Sequence, residues 1–465
     1  MIFLKLPKLK YRCCISRQPV PHFNSMTKLN QEMISCCLAA IAVFSAEMVS
    51  AEGLPVFPQA VFSIASDDDV ALGHLLFYDP ILSGNKNIAC ATCHHPKFGT
   101  SDGVSLALGE GGIGLGPERR PDNANMPEQR IGRNAPALFN LGAAEFTSLF
   151  HDGRLEADDS RPSGIRTPLA EEMVAGFDSI LSAQAMFPVL SGDEMAGQYS
   201  ESDVSKAVRQ GFLTHENGAW DLISARVAGI PEYRQMFDKV IGTREIRFTD
   251  ISNVVADFIA FEWRADDSPF DRHLDGQNLP DDSVAGLELF YGKAECATCH
   301  SGLFQTDHKF HAIAIPQIGP GKAARFEAHN RDTGRIRVTG QIEDAYKFRT
   351  PSLRNISATG PYGHDGAYST LEAVVRHHLD PINSLNDYDR SQAIFPTFEG
   401  AQDWAILDNP SEVAAIAAAN ELDPIALEDH EVEAILAFLR SLSDETSLYG
   451  RLGVPDRVPS GLPVD

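Results

Sequence analysis

Amphipathic helical patterns recur along the chain and predict its main elements. Apolar residues return every three or four positions in TDISNVVADFIAFEW, residues 249–263, and in DHEVEAILAFLRSL, residues 429–442. Thr249 or Asp250 is the expected N-cap of the first of these helices. A third helical pattern, TLEAVVRHHLD, begins at Thr370. Strand-like alternation is scarce, so the patterns predict a mostly α-helical, loop-rich protein.

Several segments recur in the same order in the two halves of the chain. LFY precedes CATCH in both halves, at residues 76–78 and again at residues 289–291. RNAPALFN is then echoed by RTPSLRN, and FHDGR is echoed by GHDGAY. Such internal similarity indicates a duplicated unit. We therefore expect two domains, residues 52–265 and 284–450, followed by a tail at residues 451–465.

Polar, glycine- and proline-rich stretches mark the predicted loops. Residues 266–283 are rich in Asp, Pro and Gly and are expected to link the two domains. Residues 96–132 contain GEGGIGLGPERRPDNANMP and are expected to form a loop over the first CATCH segment. Their glycines do not follow a strand or open a helix, so a phosphate-binding interpretation is weak.

The N-terminal segment, residues 1–51, is expected to be a targeting sequence. From Met26 it combines an early Lys, a short apolar core and the small residues VSA before Glu52, which is typical of an exported protein. The expected true start is then Met26 or Met33. We expect no membrane span in the remainder. The net charge of −25 argues against nucleic-acid binding, which requires basic patches.

The cysteines indicate the chemistry of the repeated segment. Eight occur in the chain, and the four outside the targeting segment are Cys90, Cys93, Cys296 and Cys299. A zinc site could join the two pairs but leaves the following histidines unexplained, and a thioredoxin-like pair needs no such histidine. C-x-x-C-H is the attachment sequence of c-type haem. The spacing therefore predicts two covalent haems, with His94 and His300 as proximal iron ligands.

Together, the motifs resemble those of the bacterial di-haem cytochrome c peroxidases and their MauG-like relatives. The resemblance rests on CATCH, RNAPALFN, FHDGRLE, TPLAEEM, FRTPSLRN and GPYGHDGAYSTLEAVVRHH, and it spans about residues 65–445. It implies two cytochrome c-like domains, each with one haem. The N-terminal haem would react with hydrogen peroxide, the C-terminal haem would relay electrons, and Ca²⁺ would lie between the domains.

The resemblance also implies roles for individual residues. TPLAEEM matches the segment that carries the family's distal acid, which makes Glu172 the expected proton carrier; the alternative is an ordinary solvated helix residue. The expected Ca²⁺ ligands are the Asn134 side chain and the carbonyls of Thr359 and Pro361. His151 stands where relatives often have Trp, so it is either a polar residue of the distal pocket or a hydrogen-bonded structural histidine.

Two further departures from the family concern the iron ligands. No histidine occurs between His95 and His151, so the first haem is expected to be five-coordinate and open. The second haem of relatives takes Met or Tyr fourteen residues after the His of His-Asp-Gly, and here that offset from His364 gives His378. The last methionine is Met236, so the second domain cannot supply a methionine ligand. His378 is therefore the expected sixth ligand, with His377 as the next choice.

These features favour a periplasmic di-haem peroxidase that takes electrons from a small cytochrome c or a cupredoxin. A MauG-like enzyme that uses peroxide to oxidise residues of a partner protein is the first alternative, and the sequence does not separate the two. A non-enzymatic di-haem electron carrier is the second alternative, and it would require both haems to be six-coordinate.

Overall fold

Helices dominate the regular structure of the computed structural model, which describes residues 60–169, 173–198, 201–322 and 327–465. The predicted helix-rich architecture is confirmed. The helices are α1 Asp67–Phe77, α2 Cys90–Cys93, α3 Ile180–Gln184, α4 Asp203–Gln210, α5 Ala219–Ala228, α6 Pro231–Ile241, α7 Phe248–Glu262, α8 Pro269–Leu274, α9 Asp281–Tyr291, α10 Ile336–Thr339, α11 Leu371–Leu379, α12 Pro381–Asn386, α13 Pro410–Ala419, α14 Asp429–Ser441 and α15 Glu445–Tyr449.

The strands are short and form three small antiparallel sheets in the described residues. In the first sheet β1 pairs with β2, in the second β4 lies between β3 and β5, and in the third β6 pairs with β7. The pairing of β6 with β7 places Phe310 opposite Arg349. The strands are β1 Gly112–Ile113, β2 Arg120–Pro121, β3 Ser148–Leu149, β4 Leu155–Ala157, β5 Ile165–Arg166, β6 Phe310–His311 and β7 Phe348–Arg349.

A pair of crossing helices is repeated in the two halves. Helix α1 packs on α7, and α9 packs on α14 in the same way. A Cβ atom added at Gly73 of α1 would lie 1.8 Å from the Val254 carbonyl oxygen, and one added at Gly286 of α9 would lie 1.9 Å from the Ala434 oxygen. Only glycine permits so close an approach of the two helices. Each glycine precedes LFY by three residues, so the duplication extends from the motifs to the packing.

Helix α7 begins one residue before the expected caps. Its N-cap is Arg247, and Asp250 occupies the third helical position, where its Oδ2 accepts the Arg247 backbone N–H at 2.8 Å. The expectation that Thr249 or Asp250 is the N-cap is therefore wrong by two or three residues. A carboxylate in the first turn still satisfies a free backbone donor and interacts favourably with the helix dipole.

Two aromatic clusters lie beneath the repeated helix pairs. The larger core surrounds Phe77, Phe258 and Trp263, whose side chains are almost fully buried. The smaller core contains Phe290 of α9 and Phe438 of α14, whose ring centroids lie 5.0 Å apart. Truncating such a buried phenylalanine to alanine costs about 3–5 kcal/mol. These clusters therefore supply rigid supports for the two CATCH segments.

Residues from the second half also enter the larger core. Phe304, which follows the second CATCH segment, packs against Phe146 at a centroid distance of 5.4 Å. Val458 of the expected tail is buried in the same core. The described residues all belong to one compact unit. The expected division into two domains stays a prediction.

The expected linker, residues 266–283, is ordered. It contains α8, whose N-cap Ser268 accepts the Asp271 N–H, and the first residues of α9. The expected targeting segment, residues 1–51, lies outside the described residues. Among the helices of the described ranges, none combines the length and the apolar character that crossing a membrane requires.

Candidate functional site

The first CATCH segment forms a single helical turn that ends at its histidine. At the N-terminus of helix α2, the Ala89 N–H donates a hydrogen bond to the Thr92 hydroxyl at 3.0 Å. The His94 N–H donates to the Cys90 carbonyl, also at 3.0 Å, which brings the histidine beneath the two cysteines. His94 Nδ1 donates to the Thr100 carbonyl at 3.0 Å. This bond leaves Nε2 as the nitrogen that can bind a metal, as in most histidine ligands.

The second CATCH segment repeats this geometry. Cys296–Thr298 form a 3₁₀ turn, and the His300 N–H donates to the Cys296 carbonyl at 2.9 Å. His300 Nδ1 donates to the Gln305 carbonyl at 3.0 Å. Burial, together with the neighbouring His378, lowers the pKa of His300 to about 4. The imidazole is therefore neutral at pH 7, which is the form that binds iron.

The four thiols form no disulfide. Burial raises the pKa of Cys90, Cys93 and Cys296 to about 12, so these groups are protonated at neutral pH. The two pairs do not converge among the described residues, where the one compact group of possible metal ligands joins Cys299 with Asp307 and His311. This arrangement gives no support to a zinc ion that joins both cysteine pairs.

His378 lies opposite His300. The ring centroids of the two imidazoles are 6.4 Å apart. Two imidazoles that bind one metal ion from opposite sides, each with a nitrogen about 2 Å from it, have centroids roughly 6.3 Å apart. His378 Nδ1 donates to the Val374 carbonyl of α11 at 2.7 Å, so its Nε2 is again the available nitrogen. The pair therefore fits a haem iron held between two histidines.

His377 has no nitrogen available for a metal. Its Nδ1 is bonded to the Tyr368 hydroxyl at 2.8 Å and its Nε2 to the Ile313 carbonyl at 2.7 Å. The side chain is completely buried. Since one residue along a helix turns the side chain by about 100°, His377 and His378 face different surroundings. The structure therefore assigns His377 to packing and leaves His378 as the candidate ligand.

Three further side chains of the second half, Tyr362, His308 and His311, also have partners. The Tyr362 hydroxyl donates to the Ile356 carbonyl at 2.9 Å. His308 Nε2 lies 3.1 Å from Glu145, and His311 Nε2 lies 3.0 Å from Asp307. These contacts give the three side chains structural roles, and they make His378 the more suitable ligand.

The structure brings Glu194 to the first motif, and the sequence interpretation missed it. Glu194 lies in the π-helical turn Gly192–Ala196, an irregular element that is often found at functional sites. Burial lowers the pKa of His94, and the nearby Glu194 carboxylate counteracts this effect. The same carboxylate contributes to the raised pKa of Cys93. Its Oε1 lies 4.0 Å from Lys322 Nζ of the second half.

Glu172, the expected proton carrier, lies outside the described residues, and its role stays a prediction. Outside the expected targeting segment, the sequence contains a second Glu-Met pair, Glu194–Met195, in GDEM. This second pair was the feature of the sequence that could have indicated Glu194 as an alternative proton carrier. Nothing in the local sequence says which of the two pairs folds against the first motif.

His151 lies where the two halves meet. Its Nε2 donates to the Asn134 carbonyl at 3.1 Å, and its own carbonyl accepts the Arg349 N–H at 2.7 Å. Burial, with Arg133 nearby, lowers the pKa of His151 to about 4. The imidazole is neutral and already bonded, which suits the structural alternative for this residue. A catalytic role for His151 stays a prediction.

A buried ionic network joins the halves beside His151, and the sequence interpretation did not find it. Arg133 Nε and Nη2 donate to the two Asp332 carboxylate oxygens at 2.6 and 2.8 Å. Arg133 Nη1 also lies 2.7 Å from Asp152 Oδ2. All three side chains are almost fully buried. Removing one partner of such a network leaves an uncompensated charge, which costs about 3–5 kcal/mol.

The Asn134 side chain, one of the expected calcium ligands, is hydrogen-bonded to two neighbouring carbonyls. Asn134 Nδ2 donates to the carbonyls of Val104 and Ser105 at 2.9 and 3.3 Å, which holds the amide in place. The hydrogen bonds of the described residues join Asn134 to neither Thr359 nor Pro361. The calcium site therefore stays a prediction.

Comparison with known proteins identifies related sequences and folds. Residues 67–279 match the family model described as di-haem cytochrome c peroxidase. The methylamine utilization protein MauG of Methylorubrum extorquens is 31% identical over 319 residues, which cover 67% of this chain and 69% of that protein. The cytochrome c551 peroxidase of Nitrosomonas europaea is 29% identical over 367 residues, covering 78% of this chain and 89% of that protein.

A solved structure shares the fold. The crystal structure of a MauG-like protein associated with microbial copper homeostasis superposes with a TM-score of 0.56 at 24% sequence identity. The match covers 85% of this chain and 96% of that chain. At this identity the likeness concerns the fold.

Proposed function

Because this chain belongs to the di-haem cytochrome c peroxidase family, we propose that it is a periplasmic enzyme that reduces hydrogen peroxide at an N-terminal haem. A second haem would relay electrons from a small cytochrome c or a cupredoxin. Each haem would be held covalently in a cytochrome c-like domain, the first through Cys90 and Cys93 and the second through Cys296 and Cys299. Relatives named cytochrome c peroxidases support an oxidoreductase that acts on peroxide.

The asymmetry of the two motifs is the observation that carries this proposal. In the second motif an imidazole, His378, faces the proximal His300 at a centroid distance of 6.4 Å. Among the ring contacts of the described residues, none pairs His94 with another imidazole. The nearby Glu194 carboxylate instead raises the pKa of His94 against the effect of burial. One closed and one open haem site suit a division between electron relay and peroxide chemistry. An electron carrier would need both sites closed.

We assign the proton chemistry to Glu194. A carboxylate at this place can accept a proton from one peroxide oxygen and return it to the other, so that water leaves after O–O cleavage. When bound, the haem iron supplies the redox chemistry. Reduction of one peroxide to two waters consumes two electrons and two protons, and one-electron donors would deliver the electrons in turn.

The experiment compares two isosteric substitutions in the purified holoenzyme. Glu194→Gln removes the proton acceptor and keeps the shape of the side chain. We expect the second-order rate of the reaction with peroxide to fall by roughly 10²–10⁴, the range for positioned acid–base groups, with haem content unchanged. Glu172→Gln, in the other Glu-Met pair, is the matched control and should react at close to the wild-type rate. A slow Glu172→Gln with a normal Glu194→Gln would reverse the assignment.

A MauG-like reaction, in which peroxide is used to oxidise a partner protein, is the second candidate. Two observations favour it: the 31% sequence identity with the protein named MauG, and the position of His378 near His300, which would give the second haem a nitrogen ligand. Nitrogen ligation lowers the haem potential relative to methionine ligation, which stabilises oxidised states. Steady-state turnover with reduced cytochrome c would support the peroxidase. An oxidised state that survives peroxide removal and is discharged only by a co-encoded exported protein would support the second candidate.

A further inference from the structure

Glu110 and Glu201 share hydrogen-bond donors although they are far apart in the sequence. Asn85 Nδ2 lies 2.9 Å from Glu110 Oε1 and 2.6 Å from Glu201 Oε2. Asn125 Nδ2 lies 3.3 Å from each of the same two oxygens. A single amide nitrogen therefore lies within hydrogen-bond distance of both carboxylates, which places the two carboxylates close together. Like charges at such a distance repel unless a cation lies with them.

Glu110 is a buried and incompletely bonded carboxylate. Its side chain is 1% exposed, and its Oε2 atom is buried with no hydrogen-bond partner. Its Oε1 atom accepts from Asn85, from Asn87 at 2.9 Å and from the Gly111 N–H at 3.3 Å. A buried carboxylate oxygen without a partner is costly, so a ligand that binds this oxygen is expected here.

Basic side chains do not supply the missing charge. In the four described ranges of the chain, neither Glu110 nor Glu201 forms an ion pair with a lysine or an arginine. Arg119, which comes from the same loop as Glu110, donates instead to the carbonyls of Leu108, Gly109 and Gly114. Among the described residues, the two carboxylates of the cluster therefore have no ion-pair partner.

The donor set is made of oxygen atoms. The two carboxylates are accompanied by the side-chain amides of Asn85, Asn87 and Asn125. Rotating such an amide by 180° exchanges its nitrogen for its oxygen at nearly the same position, so each can also offer a carbonyl ligand. Ca²⁺ takes six to eight oxygen ligands from carboxylates and carbonyls, whereas sites without sulfur or imidazole do not select zinc or iron.

We propose that Glu110 and Glu201, with Asn85, Asn87 and Asn125, form a Ca²⁺ site. This site shares no residue with the calcium site expected at Asn134, Thr359 and Pro361, and it does not rest on the proposed reaction.

The location of the site suggests what the ion would do. The Glu110 N–H donates to the Asp193 carbonyl at 2.9 Å, and the Gly84 N–H donates to the Met195 carbonyl at 2.7 Å. The Gln198 N–H donates to Glu201 Oε2 at 3.2 Å. The cluster thus holds both sides of the π-helical turn that carries Glu194. A bound Ca²⁺ would fasten this turn to the loop that leads into Cys90, and Glu110 and Glu201 would act as positioning residues.

The test measures Ca²⁺ binding directly. The holoenzyme is stripped with a chelator and titrated with Ca²⁺, and bound metal is counted by equilibrium dialysis. We expect Glu201→Gln and Glu110→Gln each to lose one Ca²⁺ per chain relative to the wild type, or to bind it at least 10–100-fold more weakly, since even indirect partners of a metal contribute that much. Glu118→Gln, an exposed substitution in the same loop, is the matched control and should bind as the wild type.

A stability measurement separates binding from folding. Saturating Ca²⁺ should raise the melting temperature of the wild type and of Glu118→Gln more than that of Glu201→Gln, because a ligand stabilises only a state that binds it. Glu201 is exposed, so this variant tests the site even if Glu110→Gln does not fold. Asn134→Ala should leave this Ca²⁺ in place. The same Ca²⁺ count and affinity in Glu201→Gln as in the wild type would overturn the proposal.

Discussion

Replacing His378 by alanine tests the second iron site. His378 Nδ1 is bonded to the Val374 carbonyl, and the His378 ring centroid lies 6.4 Å from that of His300. The substitution removes one of two nitrogen ligands from one of the two expected haems, so that haem should change from low-spin to high-spin or water-ligated. If the first haem is high-spin at rest, the high-spin signal should rise from one to two haems per chain. The low-spin signal should disappear. Electron spin resonance with double integration, supported by the optical spectrum, measures both.

His377→Ala is the matched control, because His377 is adjacent in sequence but bonded through both nitrogens. Its removal leaves the Tyr368 hydroxyl and the Ile313 carbonyl without their partner in a buried setting. Each unsatisfied group costs about 1–3 kcal/mol, so the variant should lose roughly 2–6 kcal/mol of unfolding free energy. Its low-spin signal should nevertheless remain at one haem per chain.

The two variants together can refute this reasoning. A low-spin signal that persists in His378→Ala would mean that the ligand lies elsewhere, and loss of that signal in His377→Ala alone would mean that the assignment is wrong by one residue. Where His377→Ala is too unstable to purify, His377→Gln offers a donor and an acceptor at the same position and should retain the low-spin spectrum.

Three further predictions follow from the two motifs and from the buried network. Intact-mass measurement should show a gain of two covalent haems, and any other number would contradict the assignment of both CATCH segments. The resting oxidised protein should show a high-spin first haem and react with peroxide without prior reduction, whereas a purely low-spin protein that needs one-electron reduction would contradict the open site. Asp332→Asn should lower the unfolding free energy in urea at pH 7 by about 3–5 kcal/mol, because Arg133 loses a buried partner. Burial opposes ionisation of Asp332, but Arg133 outweighs this effect and lowers the pKa of the carboxyl group. The stabilisation from this ion pair is therefore present above about pH 4 and is lost as the pH falls further. The difference in unfolding free energy between wild type and variant should shrink at acidic pH, and a constant difference would contradict this role.

The sequence alone was sufficient where the chemistry depends on neighbours along the chain. The two C-x-x-C-H segments bring thiols and imidazole together within one helical turn, so their spacing already predicts a haem site. Helix α14 follows a period that is visible in its residues. In both cases a few consecutive residues determine the geometry. His378 was instead expected from the offset that relatives show after His-Asp-Gly, and its role as an iron ligand stays a prediction.

Tertiary structure decided what depends on contacts between distant residues. Glu172 and Glu194 both precede methionine, and only the fold brings the Glu194 carboxylate near enough to His94 to influence the pKa of that imidazole. Arg133 and Asp332 are 199 residues apart and form a buried ion pair because the two halves pack together. Whether a charged side chain is solvated or buried against a partner is determined by the segments that pack on it, and no local pattern records which segments those are.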